Sequence, residues 1–201
     1  MYKDKSGNCW YKVGLHVHTS VSDGLVSPKE AAEIYRDAGF DAIAITDHWV
    51  FGEETEISGL QILSGCEYNL GKSDTSVDVI HIVGVGMKKD PGILPEYSRQ
   101  ELIDAINEGG GLAILAHPAW SLNTPEEAKE LSGIAAVEIY YTVSDVNQSS
   151  RPYSVYFVDL LANDGITYPL VATDDTHYYD GNDETKSYIM VKSKSNSQED
   201  I

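Results

Sequence analysis

The sequence predicts an α/β fold, and three observations support this prediction. Short apolar runs alternate with amphipathic stretches along the 201 residues, as expected when strands and helices follow one another. Several of the apolar runs are continuous, which is typical of strands buried on both faces of a parallel sheet. No repeat, low-complexity segment or linker interrupts this pattern. We therefore expect one domain over residues 1–201, built from right-handed βαβ units into a parallel sheet or barrel.

Eight strands are predicted from the apolar runs, with helices between them. The strands cover residues 12–17, 42–46, 62–67, 79–85, 112–116, 136–140, 168–172 and 187–191. The first helix begins with Ser27 as its N-cap, Pro28 at the first helical position and Glu30 completing a capping box. Gly39 ends that helix. Further helices are predicted over residues 99–108, after Thr124, and over residues 153–163.

The composition excludes several classes of protein. Hydrophobic residues make up 42% of the chain and charged residues 23%, as in ordinary globular proteins. The net charge of −18 argues against an extended nucleic-acid surface, which needs clustered Lys and Arg. No apolar run is long enough to span a membrane, and no secretory signal is visible, so we expect a cytoplasmic protein. Two cysteines, Cys9 and Cys66, favour reduced thiols, although a disulfide between them stays open.

The end of the chain is polar. Residues 195–201 resemble the cap and first turn of a helix that is not continued. One interpretation is a disordered polar tail. The other is that the natural protein continues beyond Ile201.

All six histidines lie within or just after predicted strands. They are His16, His18, His48, His81, His117 and His177. In a parallel α/β fold the carboxyl ends of the strands meet at one end of the sheet, where active sites form. His16 and His18 are two residues apart on a strand, so their side chains point to the same side.

Three carboxylates accompany the histidines. Asp23 follows the first predicted strand, Glu67 ends the third, and Asp175 precedes His177 by two residues. Neutral imidazole and carboxylate together suit Zn, Mn and Fe(II). A single strand-end histidine is more often hydrogen-bonded or solvated than a metal ligand. The shared position of all six histidines nevertheless favours a multi-metal site at the C-terminal ends of the strands.

Four sequence motifs resemble those of the PHP (polymerase and histidinol phosphatase) domain family. They are His16-Val-His18-Thr-Ser-Val-Ser-Asp23-Gly24, Thr46-Asp47-His48, Ala116-His117-Pro118 and Asp175-Thr-His177. They occur in order and with sensible spacing, and the resemblance covers residues 11–191. It implies a distorted (β/α)7 TIM-like barrel, with two or three divalent metal ions (Mn, Zn or Fe) at the C-terminal ends of the strands. It also implies hydrolysis of phosphomonoesters or phosphodiesters.

The resemblance further implies three groups of metal ligands. The first is His16, His18, Glu67 and Asp175; the second is Glu67, His81 and His117; the third is Asp23, His48 and His177. All nine residues are present, which favours a catalytic family member over one that has lost its activity. Asp47 and Asp174 adjoin ligands and either orient imidazole rings or serve as surface or cap residues.

A hydrolytic mechanism follows as a hypothesis. Metal ions would generate hydroxide near neutral pH and neutralise a phosphate oxygen. Glu67, Asp175 and His177 are the candidate catalytic residues, with His177 or a metal-bound water giving a proton to the leaving oxygen. Arg151 is the candidate phosphate-binding residue. Tyr178 is the candidate for the pocket wall.

Other side chains leave two interpretations open. Tyr140, Tyr141 and Tyr179 either join Tyr178 in the wall or pack in the core. Glu138 either reaches the cleft or bonds to backbone. Cys66 is expected in the core, and Arg36 and Arg99 at the surface.

A small phosphomonoester is the predicted substrate: a nucleotide, a sugar phosphate or histidinol phosphate. A phosphodiesterase or nuclease acting on short oligonucleotides is the nearest alternative. An amidohydrolase-type C–N hydrolase is disfavoured, because such enzymes usually bridge their metals with a carboxylated lysine, and Lys88 and Lys89 lie in a loop. A non-catalytic metal-binding domain is also disfavoured, because structural sites are normally closed sets of four ligands.

Overall fold

The computed structural model describes residues 1–71 and 79–201, which contain eleven strands and five helices. The strands are β1 (Tyr2–Lys3), β2 (Cys9–Gly14), β3 (Ala42–Ala44), β4 (Thr55–Ile57), β5 (Leu60–Leu63), β6 (Gly65–Leu70), β7 (Ile80–Val85), β8 (Leu112–Leu115), β9 (Ile134–Tyr141), β10 (Leu170–Thr173) and β11 (Ile189–Lys192). The helices are α1 (Pro28–Asp37), α2 (Arg99–Glu108), α3 (Pro125–Lys129), α4 (Thr142–Val146) and α5 (Val155–Asn163). Within this part of the chain, no helix is long and apolar enough to cross a bilayer.

Side-chain caps start three of the helices. The predicted start of α1 is confirmed: Ser27 accepts a hydrogen bond from Glu30 N, and the Glu30 carboxylate accepts one from Ser27 N. The same reciprocal bonds start α2 at Ser98 and α3 at Thr124. Each box satisfies two backbone N–H groups that would otherwise lack a partner.

The strands form two mixed sheets. The first sheet has the order β1-β2-β3-β5-β4, with β11 also paired to β2, and its β2, β3 and β5 are parallel. The second sheet has the order β10-β9-β8-β7-β6, and its β8, β9 and β10 are parallel. The predicted parallel arrangement therefore holds only at the centre of the first sheet and at one side of the second.

The prediction of a distorted (β/α)7 TIM-like barrel is wrong. In residues 1–71 and 79–201 the strands belong to two separate sheets, and neither sheet closes on itself. The β/α repeat is broken because β7 runs antiparallel to both of its neighbours, β6 and β8. Only residues 71–79 separate β6 from β7, fewer than the dozen or more that a parallel crossover needs. The α/β character remains, but the architecture is a pair of mixed sheets.

One predicted strand is divided between the two sheets. Residues 62–67 were expected to be continuous, but β5 ends at Leu63 and β6 begins at Gly65. Ser64 lies at the break, where its hydroxyl donates to the carbonyl of Met87. An apolar run gives no periodic signal for such a break, because both strands are buried.

Apolar residues of both sheets form the central core. This cluster includes Val13, Leu63, Val83, Ile114 and Val171, all buried. A second cluster packs the second sheet against α2 and α5, and a third packs the first sheet against α1. Because this central cluster contains residues of both sheets, apolar packing holds the two sheets together.

The polar C-terminal segment is ordered against the body of the protein. Gln198 Oε1 accepts a hydrogen bond from Ser64 N, and Asn196 donates to the carbonyl of Asp41. Ile201 packs against the central core. The interpretation of residues 195–201 as a disordered tail is therefore wrong, because Asn196 and Gln198 bond to the body of the protein.

Candidate metal centre

The two sheets meet at the ends of β2, β3 and β10. Single bridges link Val17 to Thr176 and His48 to Glu67, and Asp175 N donates to the carbonyl of His16. Beyond these strand ends the backbone no longer makes regular sheet hydrogen bonds, and the predicted ligand side chains point into the protein. All nine sequence-predicted ligand residues are brought together at this end of the molecule. Their binding of metal stays a prediction.

Two of the nine residues lie within strands rather than after them. Glu67 is the third residue of β6, and His81 is the second residue of β7. Because β7 is antiparallel to β8, the beginning of β7 lies beside the end of β8. His81 therefore reaches the centre from the amino end of its strand, which the parallel arrangement assumed from the sequence does not explain.

The first predicted ligand group has the spacing of a coordination shell. His16 Nε2 lies 3.1 Å from His18 Nε2, 3.1 Å from Glu67 Oε2 and 3.1 Å from Asp175 Oδ1. His18 Nε2 lies 3.0 Å from Glu67 Oε2 and 3.2 Å from Asp175 Oδ1. Atoms bonded to one cation at about 2.0–2.1 Å are roughly 3.0–3.4 Å apart. The donor set therefore fits a divalent cation.

The second predicted group uses the other oxygen of Glu67. Glu67 Oε1 lies 2.8 Å from His81 Nδ1 and 3.3 Å from His117 Nε2. Asp175 Oδ2 lies 3.8 Å from the same His117 nitrogen. Glu67 and Asp175 thus each present one oxygen to the first group and the other to the second.

The third predicted group is more open to solvent. Asp23 Oδ2 lies 3.4 Å from His177 Nε2 and 3.8 Å from His48 Nε2. The side chain of Asp23 is 53% exposed, that of His48 26% and that of His177 14%. The side chains of the first two groups are all below one tenth exposed. A cation held here would be the easiest to exchange.

Two ring nitrogens at the centre, His48 Nδ1 and His81 Nε2, are buried and have no hydrogen-bond partner in the described residues. Burial of a polar group without a hydrogen-bond partner costs free energy of folding, and such groups are rare in natural proteins. A bound cation would provide partners for lone pairs at such atoms. These orphaned atoms are a second reason why the residues fit metal ions.

Opposite charges dominate the electrostatics of the centre. Burial disfavours ionised Glu67, but His16, His48 and His81 outweigh it and hold the pKa of Glu67 well below its usual range. Burial likewise opposes the charged form of His177, but the Asp23 and Asp175 carboxylates raise its pKa to about 9. The field at the centre is therefore strongly negative and favours bound positive charge.

A buried carboxylate holds two of the ligand histidines from behind. Glu138 Oε1 accepts from His16 Nδ1 at 2.8 Å and from Thr173 Oγ1 at 2.8 Å. Glu138 Oε2 accepts from His117 N at 2.8 Å. His117 has a φ of +26°, an uncommon conformation for a residue with a side chain, and this bond helps to hold it. Glu138 thus supports the histidines and does not line the cleft.

Asp47 and Asp174 are also buried supports. Asp47 accepts from both the N–H and the hydroxyl of Thr19 and from the hydroxyl of Ser22. These bonds shape the loop that carries Asp23. Asp174 accepts from the hydroxyls of Tyr35 and Thr142 and from Ser187 N. Neither carboxylate orients an imidazole ring directly.

A cavity of about 800 Å³ opens over the centre. Besides ligand residues, it is lined by Ser22, Leu25, Trp49, Asn69, Trp120, Gln148 and Tyr178. None of the described lining residues is Lys or Arg. The sequence analysis missed Trp49 and Trp120. Their positions directly after His48 and three residues after His117 are the signal that could have found them.

The predicted substrate-binding residues differ in position. Tyr178 lines the cavity, whereas Arg151 does not, and its guanidinium donates to the carbonyl of Trp120 at 3.2 Å. Tyr140 bonds to Asp145, away from the cavity lining.

Two further side chains pack within the protein. Tyr141 packs its ring against His117, and Tyr179 donates to the carbonyl of His18.

Cys66 is a free, buried thiol, and its burial raises the pKa of the thiol to about 12. Cys9 is also free. Arg36 pairs with Asp37 and donates to the carbonyl of Ser58, and Arg99 pairs with Glu127.

The family profile of the PHP domain matches residues 14–110. That stretch holds six of the nine centre residues, and the other three, His117, Asp175 and His177, follow it. An uncharacterised protein of Methanocaldococcus jannaschii is 31% identical over 120 residues, which are 53% of this chain and 67% of that protein.

Solved structures share the fold at low sequence identity. A two-domain protein of Bacteroides vulgatus, described as containing a PHP-like metal-dependent phosphoesterase, matches with a TM-score of 0.67 and 19% identity over 98% of this chain. This chain spans 62% of that protein's length. An amidohydrolase of Chromobacterium violaceum, solved with sulfate and no metal, matches at 0.62 and 15% identity over 90% of this chain and 91% of the other. A lesion-specific endonuclease of Pyrococcus furiosus matches at 0.58 and 15% identity over 95% of this chain and 54% of the other.

Proposed function

The chain belongs to the PHP domain family, and from this premise we propose that it is a metal-dependent phosphatase acting on a small phosphomonoester. Divalent cations, Mn, Zn or Fe, would be held by the three ligand groups described above. The observation that carries this proposal is the spacing of 3.0–3.2 Å among His16, His18, Glu67 and Asp175 at the floor of an open cavity. A purely structural metal site would be closed off from substrate.

Cations held by these residues would supply positive charge against the phosphoryl oxygens and would lower the pKa of a nearby water molecule. The protein's own residues fix the geometry of the reaction. Glu67 and Asp175 keep the first two ligand groups side by side, because each presents one oxygen to either group. Their negative charge, together with that of Asp23, is what attracts the cations into an otherwise buried site.

His177 is assigned to cation binding through one nitrogen. Its Nδ1 lies 2.8 Å from the carbonyl of Asp175 and donates to it, which leaves the lone pair of Nε2 facing Asp23. A nitrogen that binds a cation cannot also carry a proton. Protonation of the leaving oxygen then falls to a water molecule at the open side of the cavity, in preference to His177.

The cavity walls favour a small substrate with a flat or sugar-like group. Trp49, Trp120 and Tyr178 offer aromatic faces, and Asn69 and Gln148 offer amide groups. A volume of about 800 Å³ suits a nucleotide or sugar phosphate. A polynucleotide needs a basic track along its backbone, and the chain has a net charge of −18. A nuclease acting on short oligonucleotides is therefore the weaker candidate.

A C–N hydrolase is the candidate from another class, since one structural neighbour is an amidohydrolase. Such sites usually join their metals with a carboxylated lysine, and no lysine is among the described residues that line this cavity. Lys88 and Lys89 are exposed after β7. Glu67 would take the bridging position, because its two oxygens face different ligand groups, and this favours phosphoester chemistry.

The test is a metal analysis combined with a substrate panel. We expect purified protein to carry divalent cations and to hydrolyse p-nitrophenyl phosphate and nucleoside monophosphates faster than bis-p-nitrophenyl phosphate with Mn. Asp175→Asn should lose cations and activity, while the exposed Asp159→Asn, of equal charge change, should keep both. Metal-free protein that turns over none of these substrates after Mn addition would overturn the phosphatase proposal, and a preference for the diester would favour the nuclease.

A further inference from the structure

Asp183 is a fully buried carboxylate that lies outside both the sequence motifs and the cavity lining. It accepts hydrogen bonds from three consecutive backbone N–H groups: those of His177 and Tyr178 to Oδ2, and that of Tyr179 to Oδ1. We propose that Asp183 is a positioning residue for the reaction, which fixes the backbone so that His177 and Tyr178 face the cavity. This inference rests on the proposed function.

The backbone around His177 forms a concave set of N–H donors. Asp175 and Tyr179 have φ values of +51° and +53°, in the left-handed region that side chains rarely adopt. Alternation of left-handed and right-handed residues turns successive N–H groups to one side, which creates an anion-binding concavity. The Asp183 carboxylate occupies it at N···O distances of 2.7, 2.8 and 2.9 Å. If a neutral amide replaced the Asp183 carboxylate, the three buried N–H groups would share a single, weaker acceptor oxygen.

This concavity connects directly to the third ligand group. His177 Nε2 lies 3.4 Å from Asp23 Oδ2, and its Nδ1 donates to the carbonyl of Asp175. Tyr179 donates its hydroxyl to the carbonyl of His18. The segment held by Asp183 is therefore attached to the centre on both sides, and a shift of its backbone would move His177 away from Asp23.

Asp183 acts through the backbone and is not itself a ligand. Both of its oxygens already accept hydrogen bonds, and Asp180 and Glu184 beside it accept from Asn182 N and Gly181 N. These three carboxylates therefore accept backbone N–H groups of one turn. The role is distinct from that of Glu138, which bonds an imidazole ring directly.

The experiment compares Asp183→Asn with Asp159→Asn, which removes the same charge from an exposed position on α5. Cation content is measured by inductively coupled plasma mass spectrometry, and cation affinity by titration of chelated protein with Mn. For Asp183→Asn we expect about 10–100-fold weaker binding of the cation at the third group. We also expect a raised KM, because Tyr178 moves, with the two buried groups still loaded. Asp159→Asn should match wild type.

A structural role alone would lower the melting temperature without changing the cation stoichiometry, and that result would overturn the proposal. If Asp183→Asn fails to fold, Asp183→Glu is the second variant, because it retains the charge but adds one methylene that displaces the carboxylate. We expect weaker cation binding at the third group in this variant, and unchanged cation affinity would also overturn the proposal. Failure of both variants to fold would show that Asp183 serves the fold and not the position of His177. The cation readout is independent of catalysis, so an inactive wild type would reject the proposed function without rejecting this one.

Discussion

At the scale of single residues, Glu67 connects the candidate centre. Its Oε2 lies 3.1 Å from His16 Nε2 and 3.0 Å from His18 Nε2, while its Oε1 lies 2.8 Å from His81 Nδ1 and 3.3 Å from His117 Nε2. A single carboxylate thus faces four imidazole nitrogens. Because it is 1% exposed, no water can replace it without a rearrangement.

Substitution of Glu67 should therefore disturb two ligand groups at once. Glu67→Gln keeps the shape but replaces one oxygen with an N–H₂ group, which repels a cation. We expect loss of at least one bound cation and a fall in kcat of about 100-fold or more. Metal analysis and steady-state kinetics test this, with the exposed Glu56→Gln on β4 as the matched control. Full cation content in Glu67→Gln would contradict the assignment.

Proton release should accompany cation binding. In chelated protein the carboxylates raise the pKa of His177 to about 9 and that of His16 well above its usual value. Below those pKa values the imidazoles hold protons, which a cation must displace. Affinity for Zn should therefore rise with pH as these imidazoles lose their protons, with the contribution of His177 complete above about pH 9. Calorimetry in buffers of different ionisation enthalpy would measure the protons released. Binding that is independent of pH between 6 and 8 would exclude these histidines as ligands.

At the scale of elements, the loop after β2 depends on a close backbone approach. A Cβ at Gly24 would lie 2.6 Å from the carbonyl carbon and oxygen of His18 and 2.7 Å from Thr19 N. These are backbone atoms, so the loop itself would have to move. Asp23, the adjacent residue, would move with it.

Gly24→Ala should selectively weaken the third ligand group. We expect about 10–100-fold weaker binding of that cation, with little change at the two buried groups. Gly52→Ala is the matched control, because its nearest atoms would lie at 3.6 Å, an ordinary contact distance. Titration of chelated protein with Mn measures the difference. Equal affinities in the two variants would show that the position of Asp23 does not depend on this approach.

The sequence predicted some elements well and others poorly, for physical reasons. Ser27, Pro28 and Glu30 specify a helix start through local hydrogen bonds, so α1 could be predicted from neighbouring residues alone. The direction of β7 could not, because strand direction depends on pairing with distant strands and an apolar run reads the same in both directions. His81 was therefore assigned to the centre by resemblance alone, and the sequence did not show from which end of its strand the side chain reaches the centre.

At the scale of the whole molecule, the net charge of −18 opposes an anionic substrate. Charge repulsion over distances beyond about 10 Å is screened by salt near 0.1 M. We therefore expect kcat/KM for p-nitrophenyl phosphate to rise a few-fold between low and physiological ionic strength, with kcat nearly constant. A steady decrease with salt would instead indicate a positively charged approach to the cavity.

The candidate centre was easier to predict than the architecture around it. Imidazole and carboxylate are chemically distinctive metal ligands, so His16, His18 and Asp175 can be identified as candidates without knowledge of how the strands are arranged. Trp49 and Trp120 are not distinctive, because aromatic residues occupy cores and pockets alike. Closure of a barrel depends on the summed geometry of all strands, and no short motif encodes it.

The division of the first ligand group between two sheets has a consequence for how the protein comes apart. His16 and His18 follow a strand of the first sheet, while Glu67 and Asp175 belong to the second. A cation bound there would act as a removable cross-link between two sheets that are also joined by apolar packing and a few backbone hydrogen bonds. Separation of the sheets would then require release of the cation, so the unfolding rate would depend on the free metal concentration. The lifetime of the folded chain would then follow the metal supply of its surroundings.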